Sequence, residues 1–327
     1  MIWIQFTATA ALIVLAATQL AKYGDIIAVR THLGGMFIGV LLLAGATSLP
    51  EVLTSISSLQ QNSPNLAAGN LLGSNTFNMF LLAIVDFAGR DQRILRKAAL
   101  KHALTGSLAV FLTGLVVFFM LADIELKIGW VGLDSLAIIA LYVAGVRAIH
   151  GSTPPPPAGE AEEIPAGTDS LRTGITGFLL AAGALVVITP FMVESANEIA
   201  KVTGLGTTFV GTALVALVTS LPELVTTLAA IKIGAGDMAI GNLFGSNMFN
   251  MLAVGLTDVF FTQGRFLAAI DPSFLLVGML GLLMTCMGLI GNLAKLERKF
   301  LFIEVDAFAL VVVYFGGLWL LYARNSL

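Results

Sequence analysis

The chain repeats itself at a fixed offset of 172 residues. Thr47-Ser48-Leu49-Pro50-Glu51 returns as Thr219-Ser220-Leu221-Pro222-Glu223, and GNLLGSNTFNM at 69–79 returns as GNLFGSNMFNM at 241–251. Without a gap, 16 of the 33 residues from Thr47 to Met79 recur identically, and the register reaches outward to Ile27/Ile199, Gly39/Gly211 and Asp86/Asp258. Such agreement marks an internal duplication. What lies between the copies turns it into a constraint on the fold. Ten apolar runs follow one another, at about 3–22, 33–60, 66–88, 103–121, 127–149, 173–194, 205–231, 238–260, 268–291 and 301–322. A hydrocarbon core of about 30 Å needs about 20 such residues to cross it. Five runs separate equivalent points, and because five is odd the second copy must enter the membrane upside down. The expected fold is therefore an all-α integral membrane protein. Its ten transmembrane helices form two inverted five-helix repeats with interrupted helices at the core, the plan on which transporters build a site near the bilayer midplane.

Composition agrees. Only 11% of the 327 residues are charged and mean hydropathy is +0.93, whereas soluble chains carry roughly a quarter charged residues. The first repeat is expected over 1–149, with its duplicated segment at about 33–88; the second spans 172–327, with its copy at about 205–260. Between them, 150–171 contains STPPPPAGEAEEIPAGT, whose prolines, small residues and acids read as a flexible tether. The net charge of −3 says little, but placement is informative: 13 of the 17 Lys and Arg fall in the odd-numbered connections, five of them (Arg90, Arg93, Arg96, Lys97, Lys101) between runs three and four. The positive-inside rule then puts those connections, the 150–171 linker included, in the cytoplasm and both termini outside. The first run lacks a basic start and a cleavage site and reads as retained. A single cysteine, Cys286, allows no intramolecular disulfide.

Proline within a helix lacks an N–H and clashes with the carbonyl four residues back, so Pro50 frees the carbonyl of Ala46 and Pro222 that of Val218. At membrane depth a freed carbonyl must line a cavity or find a ligand. The neighbours are the hydroxyls of Thr47, Ser48, Thr219 and Ser220 and the carboxylates of Glu51 and Glu223, all hard oxygen donors. Such a set suits Ca²⁺ and also Na⁺, not zinc or copper. A charge at mid-span costs about 2.5–3.5 kcal/mol. Two glutamates with no Lys, Arg or His in either span core call for a mobile cation or a proton as partner. In the second motif Asn70, Ser74 and Asn78 share one helix face, and Asn242, Ser246 and Asn250 repeat the stripe. Ser74, Asn78, Ser246 and Asn250 read as ligands; Asn70, Asn75, Asn242 and Asn247 read equally well as helix-to-helix hydrogen bonders. Gly69/Gly73 and Gly241/Gly245 have the small-xxx-small spacing that lets helices approach closely.

The paired TSLPE and GNxxGSNxxN segments resemble the α-repeats of the cation/Ca²⁺ exchanger superfamily, in particular sodium/calcium exchangers of the prokaryotic type, and the resemblance covers nearly the whole chain. It implies a secondary antiporter in the plasma (inner) membrane rather than an enzyme, exchanging Ca²⁺ for Na⁺ by alternating access. It implies no prosthetic group, nucleic acid or obligate protein partner beyond the lipid bilayer. By the resemblance, Glu51 and Glu223 are the shared central carboxylates, and Thr47 and Thr219 offer backbone carbonyls to Ca²⁺. Ser48, Ser220, Ser74 and Ser246 form flanking Na⁺ sites with the carbonyls of Ala44 and Ala216, and Asn78 and Asn250 occupy the middle site. The chain departs from the pattern where the second repeat often carries aspartate, here Asn250, and where glycine usually precedes the threonine, here Ala46 and Val218. Two core carboxylates balance one Ca²⁺ and leave the coupling ion open between Na⁺ and H⁺. A remote alternative, an intramembrane aspartyl protease, rests on GAGD at 234–237. Asp237 falls in a short connection and no partner aspartate accompanies it.

Overall fold

The computed structural model describes residues 1–31, 43–88, 94–152, 168–232, 234–294, 299–300 and 303–325. Most of the expected linker, and the start of the second apolar run, lie outside them. The first half contains α1 (Ile2–Thr31), α2 (residues 43–47), α3 (Leu49–Gln60), α4 (Pro64–Ala88), α5 (Ile94–Ala122), a hairpin of β1 (Lys127–Ile128) and β2 (Val131–Gly132), and α6 (Leu133–Ser152). The second contains α7 (Leu171–Thr203), α8 (Gly206–Val210), a π-helical turn (Gly211–Val215), α9 (Ala216–Thr219), α10 (Leu221–Lys232) and α11 (Gly236–Phe260). After these come α12 (Phe266–Ala269), α13 (Phe274–Ala294), a hairpin of β3 (Lys299–Phe300) and β4 (Ile303–Glu304), and α14 (Val305–Asn325). Elements α10, α11, β3 and β4 begin and end 172 residues after α3, α4, β1 and β2.

Among the described residues eight helices are long and apolar enough to cross a membrane. Their burial separates centre from periphery: the apolar window of α4 is 89% buried and that of α7 only 22%. Leu15 on α1, Leu180 and Val187 on α7 and Trp319 on α14 are exposed, as lipid-facing side chains must be. Helices α1 and α7, equivalent in the two halves, pack along each other through Ile13, Ala17 and Leu20 on one side and Leu185, Met192, Val193 and Ala196 on the other.

Three boundaries differ from the apolar runs, each for a local reason. The run at 127–149 begins as a hairpin, Lys127 opposite Gly132 and Ile128 opposite Val131, because Gly129 takes a left-handed φ of 66° at the turn. Its apolar residues read as helix only because hydropathy ignores backbone angles. The run at 301–322 hides the equivalent hairpin. The run at 268–291 is broken by Pro272, where α12 ends and α13 starts under a cap: Asp271 accepts from the backbone N–H of Ser273 at 2.7 Å. Its first-half counterpart, α5, has leucine at that position and runs unbroken.

Polar ties at the connections after α5 and α11 are structural. Asp258 accepts from the N–H of Gly132 at 2.7 Å and from that of Phe266, closing the end of α11 onto the hairpin. Arg265 pairs with Asp134 at 2.9 Å and Asp123 at 3.1 Å. Burial would lower the pKa of its guanidinium, but those two carboxylates outweigh it and raise the value.

The central crossing depends on glycine. A Cβ on Gly73 would stand 2.6 Å from the Thr212 carbonyl oxygen, and one on Gly69 would stand 2.8 Å from the Thr212 nitrogen. A Cβ on Gly211 in turn would stand 2.9 Å from the carbonyl oxygen of Leu66. Helix α4 therefore lies backbone to backbone against the π-helical turn, the close approach expected of the small-xxx-small spacing. On the opposite crossing, a Cβ on Gly245 would stand 2.9 Å from the Cβ of Ala44.

Candidate cation site

Both TSLPE segments break their helix at a single residue. Ser48 (φ −87°, ψ 4°) and Ser220 (φ −91°, ψ 4°) leave helical geometry in the same way, and each proline then sits in the first turn of the next helix, α3 or α10. The interruption is a kink rather than a long unwinding, since Ser48 N–H still donates to Ala44 at 3.0 Å and Ser220 N–H to Ala216 at 3.1 Å. This geometry places Glu51 and Glu223 in first turns, where the helix dipole favours negative charge.

The breaks face each other, and each serine holds the other half's glutamate. Ser220 Oγ donates to Glu51 Oε1 at 3.1 Å, and Ser48 Oγ donates to Glu223 Oε1 at 3.1 Å. Ser246 adds a bond to Glu223 Oε1 at 3.4 Å, whereas its counterpart Ser74 lies against Thr219 Oγ1 at 3.5 Å. Both carboxylates are fully buried, and Oε2 of each has no partner. The ion pairs of Glu198, Asp123 and Asp134 are made elsewhere, with Lys201 and Arg265. An uncompensated buried charge costs several kcal/mol, so these two oxygens require a cation or a proton.

The asparagines build the rest. Asn70 donates to the Glu51 carbonyl at 2.8 Å and accepts from Thr219 Oγ1 at 2.9 Å, tying the two breaks together. Asn242 donates to Thr226 and Thr227 at 3.1 and 3.3 Å, and faces Thr47 Oγ1 at 3.5 Å. Asn78 donates to Asn247 Oδ1 at 3.0 Å and Asn250 to Asn75 Oδ1 at 3.1 Å, leaving Oδ1 of both Asn78 and Asn250 buried and unpartnered. Asn70, Asn75, Asn242 and Asn247 thus make the inter-helix bonds that sequence alone left open. The carbonyls of Ala44 and Ala216 already accept from the N–H of Ser48 and Ser220, and lie 3.1 and 3.3 Å from the hydroxyls of Thr47 and Thr219. Thr113 and Thr285, which anchor Asn75 and Asn247, were missed by sequence reasoning. They stand 172 apart, so the repeat register carried the signal.

Unpartnered acceptor oxygens recur in equivalent pairs, Glu51 with Glu223 and Asn78 with Asn250, and are of the type a hard cation takes as ligands. No group of three or more His, Cys, Asp or Glu gathers among the described residues. Asp237 of GAGD lies in the first turn of α11.

A duplicated helical membrane protein with an oxygen-lined site between its halves is the architecture of a secondary cation transporter. The chain belongs to the sodium/calcium exchanger protein family, whose sequence pattern matches residues 1–148 and 173–323. It is 27% identical over 325 residues to the putative antiporter CaxA of Alkalimonas amylolytica, covering 95% of this chain and 96% of that one. To the sodium/calcium exchanger MaX1 of Methanosarcina acetivorans it is 26% identical over 280 residues, covering 73% and 77%. Two solved structures share the fold. The H⁺/Ca²⁺ exchanger CAX superposes with a TM-score of 0.74 at 13% identity, over 99% of this chain and 85% of that one. The sodium-calcium exchanger NCX_Mj superposes with a TM-score of 0.61 at 21% identity, over 98% and 99%.

Proposed function

We propose that the chain exchanges Ca²⁺ for Na⁺ across a plasma or inner membrane by alternating access, with Glu51 and Glu223 as the carboxylates that bind the cation. The observation that carries this reading is the reciprocal arrangement of those two groups: each is held through Oε1 by the opposite half, and each offers a buried, unpartnered Oε2. Asn78 and Asn250 add amide oxygens at the middle of the site. The carbonyls of Thr47 and Thr219 supply further Ca²⁺ ligands, and Ser48, Ser220, Ser74 and Ser246 the flanking Na⁺ positions. The backbone carbonyls of Ala44 and Ala216 complete those flanking positions. The repeats, 1–149 and 172–327, act as opposed gates joined by a cytoplasmic linker at 150–171, with both termini outside.

Proton coupling is the second reading, and Asn78 and Asn250 are what favour it. With amides at the middle positions the core holds two carboxylates, whose charge two protons or one Ca²⁺ balance equally, while several Na⁺ would leave positive charge buried. The test is ⁴⁵Ca²⁺ uptake into proteoliposomes loaded with Na⁺ and diluted into Na⁺-free buffer at equal pH inside and out. Uptake that needs the Na⁺ gradient and disappears in Glu51→Gln supports Na⁺ exchange through this site. Uptake driven by a pH gradient and indifferent to Na⁺ refutes sodium coupling in favour of protons.

A further inference from the structure

The asparagine bonds at the centre have a direction, and that direction is set from outside the site. Thr285 on α13 donates its hydroxyl proton to the carbonyl of Gly281, one turn back on its own helix, at 2.7 Å. A threonine has a single O–H proton, so towards Asn247 its oxygen can only accept. Asn247 Nδ2 accordingly donates to Thr285 Oγ1 at 3.3 Å and to the carbonyl of Asn75 at 3.3 Å. With its NH₂ turned outward, Asn247 presents Oδ1 to Asn78, which donates its own NH₂ and is left with a bare oxygen.

The other half repeats the logic. Thr113 on α5 donates to the carbonyl of Ala109 at 2.8 Å and accepts from Asn75 Nδ2 at 3.5 Å. Asn75 Oδ1 accepts from Asn250, whose Oδ1 is again the unpartnered end. A side-chain amide can present either oxygen or NH₂ by turning over, and only the oxygen can bind a cation. We infer that Thr113 and Thr285 are positioning residues that, acting through Asn75 and Asn247, hold Asn250 and Asn78 with their oxygens free for a hard cation. The inference rests on the function proposed above.

The two relays are unequal. Asn247's NH₂ has a second acceptor in the Asn75 backbone, which no side-chain substitution removes, whereas Asn75's NH₂ is held by Thr113 alone among the described residues. The test compares Thr113→Val, Thr113→Ser and Thr285→Val in the full-length chain. Ca²⁺ affinity is read by calorimetry on purified protein in detergent, and KM and kcat from uptake into proteoliposomes.

Thr113→Val is expected to raise Kd and KM about fivefold, the size of one neutral hydrogen bond, with kcat within about twofold. Thr113→Ser, which keeps the hydroxyl, restores both, and Thr285→Val shifts them by less than about threefold. Should Thr113→Val not fold, Thr113→Cys keeps the size, weakens the acceptor and reads the same relay. Unchanged affinity in the variants that lose the acceptor overturns the inference; so does a serine variant as weak as valine, or a larger effect from Thr285→Val. A parent chain that binds Ca²⁺ but does not exchange it for Na⁺ refutes the coupling and leaves this test standing. One that binds no Ca²⁺ overturns both.

Discussion

Replacing Gly73 by alanine tests the central crossing most directly. The added methyl would stand 2.6 Å from the Thr212 carbonyl oxygen, 2.8 Å from the Thr212 Cα and 2.8 Å from the Ala216 Cβ. Two of these neighbours are backbone and cannot rotate aside. Restoring ordinary contact requires α4 and the π-helical turn to part by about 0.6–0.8 Å, a forced repacking that costs about 1–3 kcal/mol. Alanine's better helix propensity returns about 1 kcal/mol. The same separation would stretch the 2.9 Å bond from Thr219 to Asn70 and the 3.5 Å contact of Ser74 with Thr219, so calcium affinity should fall together with stability. Gly183→Ala is the control, because a Cβ there meets nothing within 4 Å. Thermal unfolding of the purified protein, paired with calcium titration, reads both effects. Gly73→Ala should melt below the parent and bind Ca²⁺ more weakly, while Gly183→Ala should melt at or above it. If Gly73→Ala is as stable and as tight as Gly183→Ala, the backbone-to-backbone crossing is wrong.

Two other substitutions follow from the same geometry. Glu51 Oε1 is held by Ser220, while Glu223 Oε1 has both Ser48 and Ser246. Ser220→Ala should therefore lower stability without cations, where a proton neutralises each carboxylate, by about 1 kcal/mol, as for loss of a neutral hydrogen bond, and Ser48→Ala by less; thermal melts that reverse this order contradict the assigned partners. Arg265→Ala strands Asp134, whose side chain is 1% exposed, and should cost about 3–5 kcal/mol. Adding Asp134→Leu should recover part of that loss, and a double variant as unstable as the sum of its parts would show that the two side chains do not interact.

How much of this was legible beforehand depends on what each feature needs. The duplication and the two buried glutamates could be read because each is a property of residue order: an offset, and a charge where lipid forbids one; the inversion is what an odd number of apolar runs predicts. The hairpins at 127–132 and 299–304 could not, since Lys127-Ile128-Gly129-Trp130-Val131 runs without a polar break into the apolar helix after it and the turn shows only in the backbone angle at Gly129. The break before α13 was marked by Pro272 but masked by the hydropathy on either side.

By itself, then, the amino-acid order determined that the protein is a duplicated, apolar helical chain and which oxygen-bearing residues stand at equivalent positions in the two copies, because hydropathy and identity at a fixed offset survive without coordinates. Only the tertiary structure decided how the halves meet. That Ser48 serves Glu223 and Ser220 serves Glu51, and that Asn75 receives Asn250 while Asn247 receives Asn78, are pairings between helices from opposite repeats, more than 160 residues apart in the chain. The direction of the two asparagine bonds depends further on the single hydroxyl protons that Thr113 and Thr285, on two other helices, donate back to their own helix carbonyls. A list of donors and acceptors is the same whichever way an amide faces; packing is what selects one face.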